Sequence, residues 1–431
     1  MTRILMFSHN PQKYISLANI LGLMDRYSET KLENGIRIVT EKIPHLDSAT
    51  VCVWIMSGAR DETGVPPGTA HMLEHMLFRG TGKRSGEEIN RLIEGAGGEM
   101  NAVTGSEYMC FYAGTLKEKL EMAFALLAEI LTEPLLSEEI LEREKHVVYE
   151  EIRLHEENPE KFIFDALRMC SWGESELGKI ETGKIEDVKK QRIEDLKTYI
   201  NNHFLTKNLL VSASGNLAHD RVVEWVERYF RTLREGSAEK QRKKPEFLGM
   251  EKEFHGGEAQ AHIGIGFEGL NFSHPDLFAL KVLSVLLGGG TSSRLYRTIR
   301  EKEGLGYAVF THTQSYEDTG LLGIYAGVAT KNIERGKQRI LEEVRQVSEG
   351  SISEEEFQTA KNMLNGLFTR KLETSEARAF VLGEYAMRTG KIVTLEELKS
   401  RIENVKFEDV TRIANKLLKA RYSCAVIRNQ E

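Results

Sequence analysis

This chain has no basic surplus. Its formal net charge is −7 at pH 7, and it holds no RNP, helix-turn-helix or zinc-finger pattern. Phosphate backbones are held mainly by clustered lysine and arginine, so nucleic acid is not an expected partner. Cysteine is scarce: Cys52, Cys110, Cys170 and Cys424 are scattered with no CxxC pair. That spacing suggests neither a disulfide framework nor a thiolate metal site, and it points to a reducing compartment, the cytoplasm. No apolar run approaches the roughly 18 residues of a membrane span, so no membrane partner is expected. The opening "MTRILMFSHNPQKYISLANILGLMDRY" lacks an apolar block closed by a small-residue cleavage site, which argues against a secretory signal. Its low acidic content would also suit an organelle presequence, and residues 1–30 read as an N-terminal extension.

What is present is the composition of a soluble globular protein, 41% hydrophobic and 29% charged. A chain of 431 residues exceeds one ordinary core, so two or three domains are expected. Alternation predicts strands at "GIRIVTEKI" and "SATVCVWIMSGA", then helices over 68–79 and 86–95. The strand-like "EMNAVTGSEYMCFYAGT" follows, then helices over 117–132, 137–157 and 192–203 and the strand "NLLVSASGN". The polar, basic run "RTLREGSAEKQRKKPE" reads as an exposed linker. After it the order starts again with the strand "AQAHIGIGFEG", helices at 275–287 and "SRLYRTIREKEG", and the strands "GYAVFTHTQ" and "GLLGIYAGVA". Helices over 331–349 and 353–374 come next. The closing helix and strand, "FEDVTRIANKLL" and "YSCAVIRN", echo "IEDLKTYINNHF" and "NLLVSASGN". Repetition of one order of elements implies an internal duplication. The expected fold is α+β: two homologous domains, residues 31–232 and 250–431, joined by a linker at 233–249. Each is a largely antiparallel sheet with helices packed on one face.

The chemistry centres on "GTAHMLEHMLFRG", residues 68–80. Positions i and i+4 of a helix share a face, so His71 and His75 can aim both imidazoles at one point, with Glu74 beside them. A catalytic zinc takes three protein ligands and leaves a position for water, and a nearby carboxylate can take that water's proton. H-x-x-E-H is the inverzincin form of the H-E-x-x-H signature. The apolar Met72, Leu73, Met76 and Leu77 are expected to anchor the helix in a core.

A second acidic stripe lies on the helix "EEILEREKHVVYEEIRLHEE". Glu144 and Glu151 are two turns apart on nearly one face, with His155 one turn further on. The apolar Ile140, Val147, Val148 and Ile152 share that helix, so part of it faces a packed neighbour. On chemistry alone, Glu151 and His155 are equally eligible as the third ligand.

From about residue 31 to the end, the sequence resembles the pitrilysin-type inverzincin metallopeptidases. The likeness is greatest to their short members, the bacterial processing-protease-like proteins and the β subunit of mitochondrial processing peptidase. In that family, H-x-x-E-H is followed roughly seventy-five residues later by the glutamate that completes the zinc site. "HMLEH" and the Glu151 of "VVYEEI" match this spacing, so the resemblance implies one Zn²⁺ per chain on His71, His75 and Glu151, with Glu74 as the catalytic base. Glu144 matches the family's supporting acid. "GGEMNAVTG" resembles the family's substrate strand, which implies an extended peptide paired at Asn101 and Ala102. "RLYRTIREKEGLGYAV" resembles the segment whose arginine and tyrosine reach the substrate, here Arg300 and Tyr307. In the second half, "HPDLFALKVLSVLLGGG" has His274 alone and no Glu-His pair, so one metal site is expected and not two. "LLGGGTSS" has no GK[ST] and follows no strand, so it is a turn and not a phosphate loop.

The resemblance thus implies a zinc endopeptidase acting on unfolded peptides or presequence-like segments. It also implies a homodimer, with a heterodimer of related subunits as the alternative assembly. The alternative function is a catalytically silent scaffold or peptide-binding subunit of the same fold.

Overall fold

The computed structural model describes residues 26–256 and 260–429. In the first half, strands β1 (Tyr27–Lys31), β2 (Arg37–Lys42) and β3 (Ser48–Ile55) precede helices α1 (Thr69–Leu77) and α2 (Gly86–Gly95). Strands β4 (Glu99–Thr104) and β5 (Met109–Leu116) lead to helices α3 (Leu120–Thr132), α4 (Glu138–Glu156), α5 (Pro159–Trp172), α6 (Ile185–Lys190) and α7 (Ile193–His203). Strand β6 (Leu209–Gly215) and helix α8 (His219–Tyr229) close it. The second half runs β7 (Glu251–His255), β8 (Gln260–Glu268), α9 (Leu277–Gly288), a π-helix (Tyr296–Lys302), β9 (Gly306–Ser315) and β10 (Gly320–Ala329). Helices α10 (Ile333–Ser348), α11 (Glu354–Lys371), α12 (Ser375–Thr389), α13 (Leu395–Glu403) and α14 (Phe407–Leu418) follow, and β11 (Tyr422–Arg428) ends it.

The sheets have the orders β1-β2-β6-β3-β5-β4 and β7-β11-β8-β10-β9. Strand for strand, the second order repeats the first without β1. The parallel ladders, β2–β6 and β7–β11, fall at equivalent places. Two α+β domains of one topology are therefore present, the product expected of a duplication. The first sheet starts earlier than residue 31, because β1 pairs antiparallel with β2 from Tyr27. Residues 1–25, most of the expected extension, lie outside the described residues.

Each domain's own helices cover one face of its sheet. Val51, Val53 and Ile55 of β3 and Phe111 of β5 bury against Phe124 and Leu127 of α3 and Met72 and Met76 of α1. The other face receives a helix from the opposite half. Ala379, Leu382 and Ala386 of α12 cover Val39, Trp54 and Leu210 of the first sheet. Ile163 and Leu167 of α5 cover Tyr325, Ala425 and Ile427 of the second. Glycine permits the close approach. A Cβ on Gly264 would stand 2.9 Å from Ile163, and one on Gly383 would stand 2.2 Å from Trp54 Nε1.

The segment between α8 and β7 contains no helix or strand, yet it is not simply exposed. Phe247 is buried, and Arg242 donates from Nε and an amino nitrogen to both oxygens of buried Asp61, at 2.9 and 2.7 Å. Beside this pair, Glu107 takes Arg60 at 2.9 Å, Arg388 of α12 at 2.7 Å and the Glu317 backbone N–H at 3.1 Å. Arg60 also forks onto Asp318, at 2.9 and 2.7 Å. Elements from both halves and the linker thus converge on one buried carboxylate in the β4–β5 turn.

Candidate metal centre

Helix α1 begins after Gly68, whose φ of +80° suits glycine, and Thr182 O would lie 2.2 Å from a Cβ there. Its first turn is capped from outside, since the Gly68 and Ala70 N–H groups donate to the two oxygens of Glu62 at 2.9 and 2.8 Å. Met72, Leu73, Met76 and Leu77 are fully buried, so the anchor expected from sequence is present. Burial on that side turns His71 and His75 toward α4, their rings 4.8 Å apart.

His71 Nε2 lies 3.6 Å from one oxygen of Glu151, and His75 Nε2 lies 3.2 Å from the other. One donor atom from each of the three residues falls within 4.8 Å of the others, the one such group among the described residues. Ligands bound tetrahedrally at about 2.0–2.2 Å stand roughly 3.4 Å apart, so this spacing and this donor set fit a zinc ion. Glu151 is 46% exposed on its side chain, which leaves the cluster open on one side. His71 is nearly buried, and its Nδ1 has no hydrogen-bond partner.

Electrostatics favour a cation here. The His71 hydrogen bond, then that of His75, holds the Glu151 carboxyl well below the usual carboxylate range. Burial works against charge on His75, but Glu151, with Glu74 and Glu144 behind it, outweighs burial and raises its pKa. Buried Glu144 stands 3.5 Å from His75 Nδ1 through one oxygen and holds Arg79 Nε at 2.7 Å through the other. The His75 ring therefore lies between Glu144 at Nδ1 and Glu151 at Nε2. Glu74 is half-buried, and its Oε2 accepts the Thr104 hydroxyl at 2.5 Å.

His155, the other eligible third ligand, is engaged elsewhere. Its Nε2 meets Asp165 of α5 at 2.6 Å, and that hydrogen bond raises its pKa. On α4, Val148 and Ile152 are buried and Ile140 is partly so, but Val147 is 45% exposed and does not join the packed face. Asn101 is exposed and Ala102 buried on β4, which ends the first sheet, so its outer edge is open. The Ala102 N–H donates to Asn101 Oδ1 at 2.8 Å. Arg300 and Tyr307 meet each other, an Arg300 amino nitrogen donating to the Tyr307 carbonyl at 3.0 Å, and Tyr307 is 76% exposed. No hydrogen bond or ion pair joins either to His71, Glu74, His75 or Glu151 among the described residues. Arg79 and Thr104 escape sequence reasoning as site residues. Thr104 lies inside the quoted "GGEMNAVTG", two residues from Ala102, and period-two alternation puts both on the face toward α1.

Two α+β domains share one topology, and the first bears an H-x-x-E-H helix against an acidic helix. Comparison with known proteins gives the family. The family described as Insulinase (Peptidase family M16) matches residues 37–183, and the one described as Peptidase M16 inactive domain matches residues 192–364. A Bacillus subtilis relative named as the uncharacterized zinc protease YmxG is 33% identical over 399 residues, covering 92% of this chain and 96% of the relative. An uncharacterized zinc protease of Streptomyces coelicolor is also 33% identical, over 92% of this chain and 88% of its own length. A Helicobacter pylori protease structure superposes with a TM-score of 0.85 at 23% identity, over 94% of this chain and 99% of that one. A Pseudomonas fluorescens structure titled peptidase M16 inactive domain does so with a TM-score of 0.87 at 18% identity, over 94% and 98%. The chain belongs to peptidase family M16, the insulinase family. Among the described residues, no helix is long and apolar enough to cross a membrane.

Proposed function

We propose that the protein is a zinc-dependent endopeptidase, with one Zn²⁺ per chain, that cuts unfolded peptides or presequence-like segments. The observation that carries this reading is the convergence of His71, His75 and Glu151 donor atoms at ligand-to-ligand spacing, with Glu74 beside them. Zinc held by these three residues would supply a Lewis acid for the scissile carbonyl and lower the pKa of a water. Glu74 takes the proton from the attacking water and returns it to the leaving amine. Glu144 keeps the His75 ring in register from behind.

The open edge of β4 receives the substrate as an added strand, which gives affinity without demanding a sequence. When the Asn101 side chain turns away, the Ala102 N–H becomes free for a peptide carbonyl. Arg300 and Tyr307 close over the substrate from the second domain and stabilise the developing oxyanion. The domains carrying these roles are residues 31–232, with β1 added, and 250–431, joined by 233–249. Pairing with a second copy encloses the substrate; a related inactive subunit is the alternative partner. Four buried, unpaired thiols suit the reducing cytoplasm.

Incubation of the zinc-loaded protein with a mixed library of unfolded peptides tests this reading, with cut sites read by mass spectrometry. Cleavage is expected, lost when a chelator strips the metal and restored by added zinc. No cleavage in any of these conditions would leave a scaffold or peptide-binding subunit of the same fold.

A further inference from the structure

The carboxylate of Glu74 is held by one atom. Thr104 Oγ1 donates to Glu74 Oε2 at 2.5 Å, while no hydrogen bond or ion pair reaches Oε1 among the described residues. A glutamate side chain on a helix surface has three rotatable bonds, and ordering it costs free energy unless a partner fixes it. A short hydroxyl-to-carboxylate bond is of the charge-assisted kind, and strong enough for that task. Fixing Oε2 leaves Oε1 as the oxygen free to exchange a proton.

Thr104 can serve as a fixed point because its own backbone is pinned. It is the last residue of β4, opposite Met109 of β5. The turn that follows is tied down at each residue. Gly105 O accepts the Ala59 N–H at 3.1 Å, Ser106 O accepts the Arg60 N–H at 2.7 Å, and the Ser106 hydroxyl donates to Glu181 at 2.6 Å. Gly58 packs so closely that a Cβ on it would lie 2.2 Å from Gly105 O. Next comes Glu107, the carboxylate on which both halves converge. The strand that offers Asn101 and Ala102 to a substrate is therefore rigidly continuous with the donor that aims Glu74.

We infer that Thr104 is the positioning residue for the general base, aligning Glu74 Oε1 with the scissile bond of a peptide laid along β4. The inference rests on the peptidase reading above. Its side chain faces α1, away from the open edge, so its loss should act on turnover and not on binding. Valine has the same shape and strand preference and removes only the hydroxyl.

On an unfolded peptide, Thr104→Val is expected to lower kcat by about 10- to 100-fold, the scale on which loss of a group that orients a metal ligand acts. KM and bound zinc should stay within about twofold of wild type, and Thr104→Ser, which keeps the hydroxyl, should recover most of kcat. In the Glu74→Gln background, Thr104→Val should cost nothing further, because the two act as a unit. A filler role would predict the reverse ranking, with valine tolerated and serine impaired, and that ranking overturns the inference. Crystal structures of wild type and Thr104→Val give an arm independent of catalysis. Glu74 should hold one rotamer in wild type and leave it in the variant, and an unmoved Glu74 overturns the inference whether or not any peptide is cut. Absence of cleavage by wild type would count against the peptidase reading alone.

Discussion

Glu74→Gln is expected to lower kcat on an unfolded peptide by about 1000-fold, within the range for loss of a general base, while zinc stays bound at wild-type content. Glutamine keeps the shape and length of glutamate, and its amide oxygen can still accept the Thr104 hydroxyl. What it cannot do is accept a proton from water. His71, His75 and Glu151 are untouched, and Glu144 still backs His75, so the metal-binding set is intact. Steady-state kinetics together with metal content checks the prediction. A variant that keeps more than a tenth of wild-type kcat contradicts the role of Glu74, and one that loses zinc shows that the glutamate acts on metal binding instead.

Glu107→Ala is expected to destabilise the fold by about 3 kcal/mol or more, the scale for breaking a buried ion cluster from one side. Glu107 is 4% exposed and answers Arg60, Arg388 and the Glu317 N–H at once. Arg60 retains Asp318 and Arg242 retains Asp61 after the change. Arg388 keeps Glu384 at 3.4 Å as its one ion-pair partner among the described residues, together with its place over the rings of Phe272 and Tyr108. Since α12, which carries Arg388, lies on the first sheet, the loss falls on the interface between halves as well as on the turn. Glu317→Gln is the control: that side chain is 63% exposed, and Arg242 keeps both oxygens of Asp61 without it, so a smaller loss than for Glu107→Ala is expected. Urea denaturation of the two variants beside wild type gives the comparison, and a Glu107→Ala midpoint equal to that of Glu317→Gln would contradict the cluster's role.

Much of the candidate site could be read from the sequence because its geometry is local. The i, i+4 spacing of His71 and His75 and the two-turn spacing of Glu144 and Glu151 are properties of single helices, and both helices form where periodicity places them. The choice between Glu151 and His155 could not be made that way, since both lie on one side of α4. What occupies His155 is Asp165 of α5, a helix that periodicity did not separate from its surroundings.

Two of the unread helices share one cause. Helices α5 and α12 cover the second face of the opposite half's sheet, so their partners lie about a hundred residues or more away in the chain. Their glycine contacts read in sequence as bare strand positions: Gly264 and Gly266 alternate with Ile263 and Ile265 as though facing solvent, yet Ile163 and Leu167 of α5 sit against them. The charged "EKEFH" of β7 shows no apolar alternation because it is a sheet edge, and β1 reads as part of the extension for the same reason. The segment "SRLYRTIREKEG" is helical as expected, but Tyr296–Lys302 of it winds as a π-helix, a difference that residue pattern alone does not encode. The polarity of the 231–246 run reads as full exposure, whereas the Arg242 side chain is only 8% exposed, its charge answered by Asp61.

The roles proposed for Glu74, Glu144 and Thr104 all depend on His71, His75 and Glu151 being a metal centre. Anomalous diffraction at the zinc absorption edge, from crystals grown with zinc at one equivalent per chain, measures this directly. One peak is expected, within about 2.0–2.2 Å of His71 Nε2, His75 Nε2 and a Glu151 oxygen. No peak there, or a peak held by other residues, would contradict it.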